Sequence, residues 1–223
     1  MSIGELTSNL VEFVGFRTRR LLMGVQISEV PHFDPDSAQW FAEQLAKSKN
    51  YLEFGGGGST FEAARLGVPT ITVENDRAFA RALQKKLPLG SEVELVISEL
   101  GLTRKWGKPV FTAPTPKRVK RWSRYVNRPF ELLAERSSSF PDLVLVDGRL
   151  RAACALETAR RAAMLGVNTT LCVDDYTDRP ALALLADQLG QPVLHGRMAV
   201  FQLDERTPQI ARALVEKVMA DYN

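Results

Sequence analysis

The chain has 223 residues, of which 45% are hydrophobic and 25% charged, a length and mixture that suit one globular domain with a sizeable core. This composition excludes intrinsic disorder, a collagen-like chain and a small disulfide-stapled fold. The formal net charge of +3 is too small to imply a polyanionic partner for the molecule as a whole.

Cysteine and histidine usage points away from disulfides and zinc. Cys154 and Cys172 both stand in apolar sequence, which predicts small core residues of a reduced, intracellular protein. His32 and His195 are far apart in the chain and offer no zinc cluster or nucleophilic pair. Because no stretch approaches the roughly 18 apolar residues that cross a bilayer, we expect a cytoplasmic protein without a transmembrane segment.

The first part of the chain predicts helices. Residues 1–35 form a predicted helical extension, and residues 36–223 a single domain. An amphipathic helix is expected over about residues 5–23, and a second one over about 36–47. The apolar stripe of the first helix is predicted from four residues: Leu6, Leu10, Val14 and Leu21. We expect that helix to pack across an edge of the sheet, the alternatives being a membrane surface or a homodimer contact.

Strands alternate with helices from residue 51 onward. Strands are predicted at about 51–54, 70–74, 93–98, 142–147 and 169–174, with a hairpin of 193–195 and 199–203. Helices are predicted at about 60–66, 77–87, 149–165, 181–189 and 208–220. This alternation predicts an α/β fold: a doubly wound, mostly parallel sheet with helices on both faces and an antiparallel C-terminal hairpin. In such sheets, ligands bind beyond the carboxyl ends of the strands, where the strand order reverses.

Four glycines, 55–58, separate the first of these strands from its helix. Such a run allows backbone to approach a ligand closely, although a flexible turn also contains glycines. Glu53 precedes the run, and at about 4 Å and an effective dielectric near 20 it would interact with a unit charge by about 4 kcal/mol. It should therefore favour a cationic ligand and oppose a pyrophosphate. Thr60 stands where the dinucleotide fingerprint has its third glycine, which also disfavours NAD or FAD.

These residues resemble a known family. Glu53-x-Gly55-x-Gly57-x-Ser59, a strand ending in Glu74, and the aspartate-bounded strand 142–147 resemble the class I S-adenosylmethionine-dependent methyltransferases. Three segments together are similar to a bacterial branch of methyltransferase-like proteins: Leu-Glu-Phe-Gly-Gly-Gly-Gly-Ser-Thr (52–60), Val-Leu-Val-Asp-Gly-Arg-Leu-Arg (144–151) and Asp-Asp-Tyr (174–176). The resemblance covers roughly residues 36–203, implies a Rossmann-like methyltransferase fold, and does not identify the methyl acceptor.

The resemblance implies a set of cofactor-binding residues. Gly55 and Gly57 would line the methionine part of S-adenosylmethionine, and Glu53 would help to hold its ammonium group. Glu74 would bind the ribose, and Glu99 would read the adenine amino group; the alternative for Glu99 is a solvated carboxylate in a loop. The predicted cofactor site is completed by Ser59 and Asn75.

Three aspartates are candidates for the chemistry. Asp147, Asp174 and Asp175 follow two strands that the predicted fold places side by side, so their carboxylates should converge. Converging like charges raise at least one pKa, which suits a general base, or require a cation such as Mg²⁺. The pattern is similar to the metal-dependent catechol-type O-methyltransferases, with Asp-Asp in place of their Asp-Asn pair. The alternative is that Asp174 caps the following helix and Asp175 faces water.

The segment around residues 100–130 is strongly basic. Nine basic residues and no acidic one occur between 104 and 128: Arg104, Lys105, Lys108, Lys117, Arg118, Lys120, Arg121, Arg124 and Arg128. We expect an insertion near the mouth of the site that attracts a phosphate- or carboxylate-bearing acceptor, with Arg149, Arg151 and Trp106 as substrate-binding residues. The alternatives are nucleic-acid binding and a solvated helix whose buried side contains Val119, Trp122 and Val126.

The functional hypothesis follows from these patterns. We predict an S-adenosylmethionine-dependent methyltransferase that acts on an acidic small-molecule or glycan acceptor, with Asp147 orienting or deprotonating that acceptor. A non-catalytic cofactor-binding protein of the same fold is one alternative. An NAD(P)-dependent oxidoreductase is the other.

Overall fold

The computed structural model describes residues 3–220. Seven strands form one sheet in the order β3-β2-β1-β4-β5-β7-β6, in which β7 is antiparallel to both of its neighbours and the other pairs are parallel. The strands are β1 Tyr51–Phe54, β2 Thr70–Glu74, β3 Val93–Ile97, β4 Leu143–Val146, β5 Thr169–Val173, β6 Val193–His195 and β7 Met198–Leu203.

Eight α-helices lie along the described chain. They are α1 Ile3–Met23, α2 Pro35–Leu45, α3 Gly58–Leu66, α4 Arg77–Lys86, α5 Pro116–Glu135, α6 Arg151–Leu165, α7 Leu184–Leu189 and α8 Arg212–Ala220. Two short 3-10 turns, Lys105–Gly107 and Pro180–Ala183, complete the elements. The predicted α/β class and the antiparallel C-terminal hairpin are confirmed.

Helices cover both faces of the sheet. Along β4, Leu143 and Leu145 pack in a cluster with residues of α2 and α3, whereas Val144 and Val146 pack in a second cluster with residues of α5, α6 and α8. All four side chains are buried, as the uninterrupted apolar run of a central parallel strand requires. The two cysteines are buried in these clusters, as predicted.

The strand order reverses at β1, which pairs with β2 on one side and β4 on the other. The backbone hydrogen bonds continue past the strand ends: Gly55 N donates to the carbonyl of Val73 at 2.8 Å, and Asp147 N donates to that of Phe54 at 3.0 Å. The glycine run and the first candidate aspartate therefore meet at the switch point of the sheet, where ligands bind in this class of fold.

The predicted apolar face of α1 is wrong at three of its four residues, since only Leu6 is half-buried. The exposed fractions of Leu10, Val14 and Leu21 are 39%, 60% and 84%. A neighbouring stripe that includes Phe16 and Arg20 is turned inward instead, because Arg20 reaches the end of β2 and pairs with Asp76 at 2.6 Å. The inward face of α1 therefore carries an ion pair, Arg20 with Asp76, instead of the predicted leucines. No helix within residues 3–220 is long and apolar enough to span a membrane.

The basic segment divides into a loop and the helix α5. That helix is the crossover between β3 and β4, and its buried face includes Trp122, Tyr125 and Val126. The solvated-helix alternative therefore describes α5, whereas the loop before it reaches the site. The second helix also begins earlier than predicted, because Asp34 caps it by accepting hydrogen bonds from the amides of Asp36 and Ser37.

Candidate functional site

The glycine loop after β1 combines one tight contact with one open position. Gly55 has a φ of +96°, and a Cβ there would lie 2.7 Å from Cα of Gly148, so only glycine fits. Gly57 has extended backbone with φ 167°, and a Cβ there would meet no protein atom within 4 Å. The loop therefore contacts the residues after β4 at Gly55, and it leaves open space beside Gly57, immediately before the N-terminus of α3.

Glu53 lies beneath this loop, fully buried on β1. Its carboxylate accepts hydrogen bonds from the hydroxyls of Ser59 at 2.5 Å, Thr72 at 2.7 Å, Tyr51 at 2.9 Å and Thr60. Burial raises the pKa of Glu53, and the four donated hydrogen bonds oppose that rise. This geometry makes Glu53 a support of the loop, because a contact with a ligand ammonium would require it to give up hydroxyl partners.

Removing this support should destabilise the fold. In Glu53→Ala, four buried hydroxyls lose a common acceptor, so we expect the free energy of unfolding to fall by about 3 kcal/mol or more. Glu53→Gln retains an acceptor oxygen and is the matched control, with a smaller loss. Urea denaturation measures both, and a Glu53→Ala protein as stable as wild type would show that the network contributes nothing.

Glu74 ends β2 beside the glycine loop, and its side chain binds backbone. It accepts hydrogen bonds from the amides of Asn75 at 2.6 Å, Asp76 at 2.7 Å and Gly56 at 3.3 Å. Burial raises its pKa to about 7, with those three amides opposing the rise. The Asn75 side chain donates to the carbonyl of Gly107 at 2.7 Å, which ties the end of β2 to the loop before α5.

Glu99 lies apart from this group. Its side chain is 49% exposed and pairs with Arg77 on α4 at 2.7 Å, and this hydrogen bond lowers the pKa of the carboxyl. The geometry matches the solvated-carboxylate alternative. Ser59, by contrast, is buried and directs its hydroxyl to Glu53.

The three candidate aspartates converge as expected. Ligand atoms of Asp147, Asp174 and Asp175 all lie within 4.8 Å of one another. Arg151 inserts between them: its guanidinium is 2.8 Å from Oδ1 of Asp147 and 3.0 Å from Oδ2 of Asp175, and it also donates to the Asp174 carbonyl. The Arg151 side chain is only 7% exposed. It is therefore committed to the network, which corrects its expected place as a substrate-binding residue.

Two further arginines neutralise the cluster. Arg197, from the β6–β7 turn, donates to both carboxylate oxygens of Asp174 at 3.0 and 2.9 Å and lies 3.1 Å from Asp175. Arg179 pairs with Asp175 at 2.9 Å. The charge that Mg²⁺ would neutralise is thus already neutralised by guanidinium groups, so the donor set does not fit the magnesium ion considered from the sequence. Asp174 is buried and paired rather than a helix cap, and Asp175 does not simply face water.

Asp147 is the most exposed member of the cluster. A third of its side chain is exposed, Oδ1 accepts a hydrogen bond from the Arg151 guanidinium, and the carboxyl also hydrogen-bonds the side chain of Asp174. Burial raises its pKa to about 7; Arg151 opposes the rise, while the carboxylates of Asp174 and Asp175 add to it. A carboxyl that titrates near neutrality at the carboxyl end of a central strand has the properties of a general acid or base.

A solved relative supports the assignment of this architecture. A methyltransferase-like protein from Silicibacter pomeroyi is 32% identical to this chain, superposes with a TM-score of 0.70, and the match covers 86% of this chain and 99% of the other. Identity at this level over nearly the whole of both proteins decides the family. The chain belongs to the class I S-adenosylmethionine-dependent methyltransferase-like proteins.

Two other solved structures are more distant. The SAH-bound methyltransferase of Podospora anserina is 16% identical with a TM-score of 0.41, over 77% of this methyltransferase-like chain and 63% of its own. The CcbJ methyltransferase of Streptomyces caelestis is 19% identical with a TM-score of 0.38, over 87% and 86% respectively. No protein-family model and no curated protein matches the sequence. The family assignment therefore rests on the S. pomeroyi protein.

Several residues of this site were not predicted from the sequence. Tyr51 and Thr72 could have been found, because Tyr51 is two residues from Glu53 on the same face of β1, and Thr72 on β2 is the register partner of Glu53. Arg197 gave no local signal, since the fold alone brings it to Asp174. Arg179 follows Asp175 by four residues, a spacing that could have suggested their pairing. Trp106, expected near the acceptor, is 62% exposed at the rim and adopts a φ of +62°.

Proposed function

We propose that this protein transfers a methyl group from S-adenosylmethionine to an oxygen or nitrogen of a small acceptor. One observation carries the proposal: the glycine loop, with its open position at Gly57, packs directly against Gly148, the residue that follows Asp147. A ligand bound over the loop and an acceptor beside Asp147 would therefore be neighbours. The membership of the methyltransferase-like family supports this interpretation.

The residues present fit the cofactor. The space beside Gly57 lies at the N-terminus of α3, and the buried Glu74 carboxyl lies next to the loop at the place where this fold binds ribose. The Gly55–Ser59 backbone would hold the cofactor together with Oε2 of Glu74, whose one hydrogen bond within residues 3–220, from the Gly56 amide, is long at 3.3 Å, and the buried Asn75 would support this end of β2. Glu53 would act from beneath the loop as a positioning residue. When bound, S-adenosylmethionine supplies a sulfonium methyl group that an acceptor can take up by in-line displacement.

Asp147 is the proposed catalytic residue. Its exposed side would orient the acceptor and receive a proton from the acceptor hydroxyl or amine as that atom becomes a nucleophile. Arg151 holds the other carboxylate oxygen, and Asp174 and Asp175 hold Arg151 in turn with the help of Arg197. The two other aspartates would thus act as positioning residues for Asp147.

Thermal unfolding in the presence of three compounds tests the proposal. A ligand at a hundred times its Kd stabilises a protein by about 2.7 kcal/mol. We expect S-adenosylmethionine and S-adenosylhomocysteine (SAH) to raise the Tm and NADH to leave it unchanged. A shift with NADH alone would favour the oxidoreductase alternative. Shifts with both sulfur compounds but no methyl transfer to any acceptor would favour a non-catalytic binding protein.

A further inference from the structure

We propose that the acceptor carries an anionic group, a carboxylate or a phosphate, and that Lys108 and Arg149 bind this group beside Asp147. The inference rests on the proposed function, because it names the acceptor class for the same site. It follows from charges and hydrogen-bonding groups that the protein itself leaves unmatched.

Four cationic side chains come from segments that border the glycine loop and the aspartates: Lys108, Arg149, Arg104 and Arg179. Lys108 is half-buried and follows Gly107, whose carbonyl accepts a hydrogen bond from the Asn75 side chain at 2.7 Å, and Arg149 follows Gly148, against which Gly55 packs. Burial is the largest cause that lowers the pKa of Lys108, and these three guanidinium groups add to it, while Glu12 on α1 acts in the opposite direction. The mutual repulsion and partial burial of these cations cost free energy, and a bound anion would offset that cost.

Two of the four are already paired. Arg104 pairs with Glu12, and Arg179 pairs with Asp175 at 2.9 Å. Lys108 and Arg149 form no ion pair with any residue between 3 and 220. In addition, Nε of Arg149 is buried and has no hydrogen-bond partner in the described part of the chain. A buried charged donor without an acceptor is costly, and it points to a ligand that supplies the missing acceptor.

The position of Arg149 relates this anion site to the chemistry. Arg149 follows Asp147 by two residues, and its amide donates to the Tyr125 hydroxyl at 3.3 Å, which helps to fix the backbone there. The backbone of Lys108 is fixed within the loop before α5, because its carbonyl accepts a hydrogen bond from the amide of Arg104 at 2.8 Å. An anion between the two side chains would hold the rest of the acceptor next to the Asp147 carboxyl.

The chemistry of the pair defines the ligand class. A guanidinium presents a planar fork that matches carboxylate and phosphate oxygens, and an ammonium adds a compact second charge. Two unmatched cations in one half-buried place suit a single anionic group on a small molecule. A polyanion such as nucleic acid would instead need a row of cations along an open surface.

Titration with simple anions tests the proposal. Inorganic phosphate and malonate are titrated by calorimetry into the protein, with and without saturating SAH, at low ionic strength. We expect saturable binding of at least one of them, weakened at least about tenfold in both Lys108→Gln and Arg149→Gln. The control is Lys120→Gln, an exposed lysine of α5 with the same loss of charge, which should bind as wild type does. Tighter binding of phosphate would indicate a phosphate group on the acceptor, and tighter binding of malonate a carboxylate.

The outcomes separate this inference from the proposed function. SAH binding without anion binding, or anion binding that Lys120→Gln weakens as much as the other two variants do, would overturn the anion site and leave the proposed function standing. Anion binding lost in Lys108→Gln and Arg149→Gln, with no SAH binding to wild type, would retain the anion site and overturn the proposed function. Because Lys108 is half-buried in a loop, its variant remains informative if Arg149→Gln fails to fold.

Discussion

Gly57→Asn is expected to weaken the binding of S-adenosylmethionine and SAH at least about 100-fold, which corresponds to roughly 2.7 kcal/mol. The new side chain would fill the space beside the glycine loop, where a Cβ meets no protein atom within 4 Å. The fold should tolerate the change, because the backbone at Gly57 is extended with φ 167°. Asparagine is also a favourable residue at the N-cap of a helix, the position that Gly57 occupies before α3. Calorimetric titration measures the affinity and thermal unfolding the stability.

Gly55→Ala is the matched comparison within the same loop. The +96° φ of Gly55 and the 2.7 Å approach of a Cβ to the Gly148 backbone leave no room for a methyl group. This variant should therefore lose stability by roughly 1–3 kcal/mol, whereas Gly57→Asn should lose binding alone. Unchanged cofactor affinity in a folded Gly57→Asn protein would show that the open position is not part of the cofactor site.

The second large effect is expected at Asp147. Asp147→Asn should lower turnover by a factor of roughly 10²–10⁴, because the amide keeps the volume and the Arg151 contact of the carboxylate but cannot take a proton. The affinity for SAH should remain that of wild type. Turnover is measured as SAH release with an acceptor found by screening carboxylate- and phosphate-bearing compounds. Asp178→Asn, an exposed aspartate nearby, is the control for the change in charge.

The pH dependence of turnover gives an independent measure of the same group. With a pKa of about 7, Asp147 holds its proton below neutrality and loses it above. A base must be deprotonated to act, so wild-type turnover should rise as the pH increases through about 7. Asp147→Asn should lack this rise. An active Asp147→Asn protein with the wild-type pH profile would assign the proton transfer to another group.

The general architecture could be predicted from the sequence. Apolar runs followed by glycine or aspartate indicate the strands, and the rule that ligands bind at the carboxyl ends of parallel strands predicts that the glycine loop and Asp147 lie close together. The convergence of Asp147 with Asp174 and Asp175 followed from the same rule. The roles of these residues remain predictions that the experiments above address.

The predictions that were wrong or incomplete concern side-chain contacts between distant parts of the chain. The hydrogen bonds of Glu53 could not be predicted, because the hydroxyls that it accepts from come from β1, β2 and α3 at once. The magnesium hypothesis counted carboxylates without the arginines, and Arg197 reaches Asp174 from a turn that carries no motif. The rotation of α1 was misjudged because its anchor, the pair of Arg20 with Asp76, spans 56 residues.

The most direct test of the proposed cofactor site is electron density in crystals grown or soaked with saturating SAH. We expect the compound over the Gly55–Ser59 loop, filling the space beside Gly57, with its ribose near Glu74 and its sulfur on the side of Asp147. SAH bound elsewhere in the protein would show that the glycine loop is not the cofactor site. The same conclusion would follow if the protein binds SAH in solution but the crystals show no SAH density at this loop.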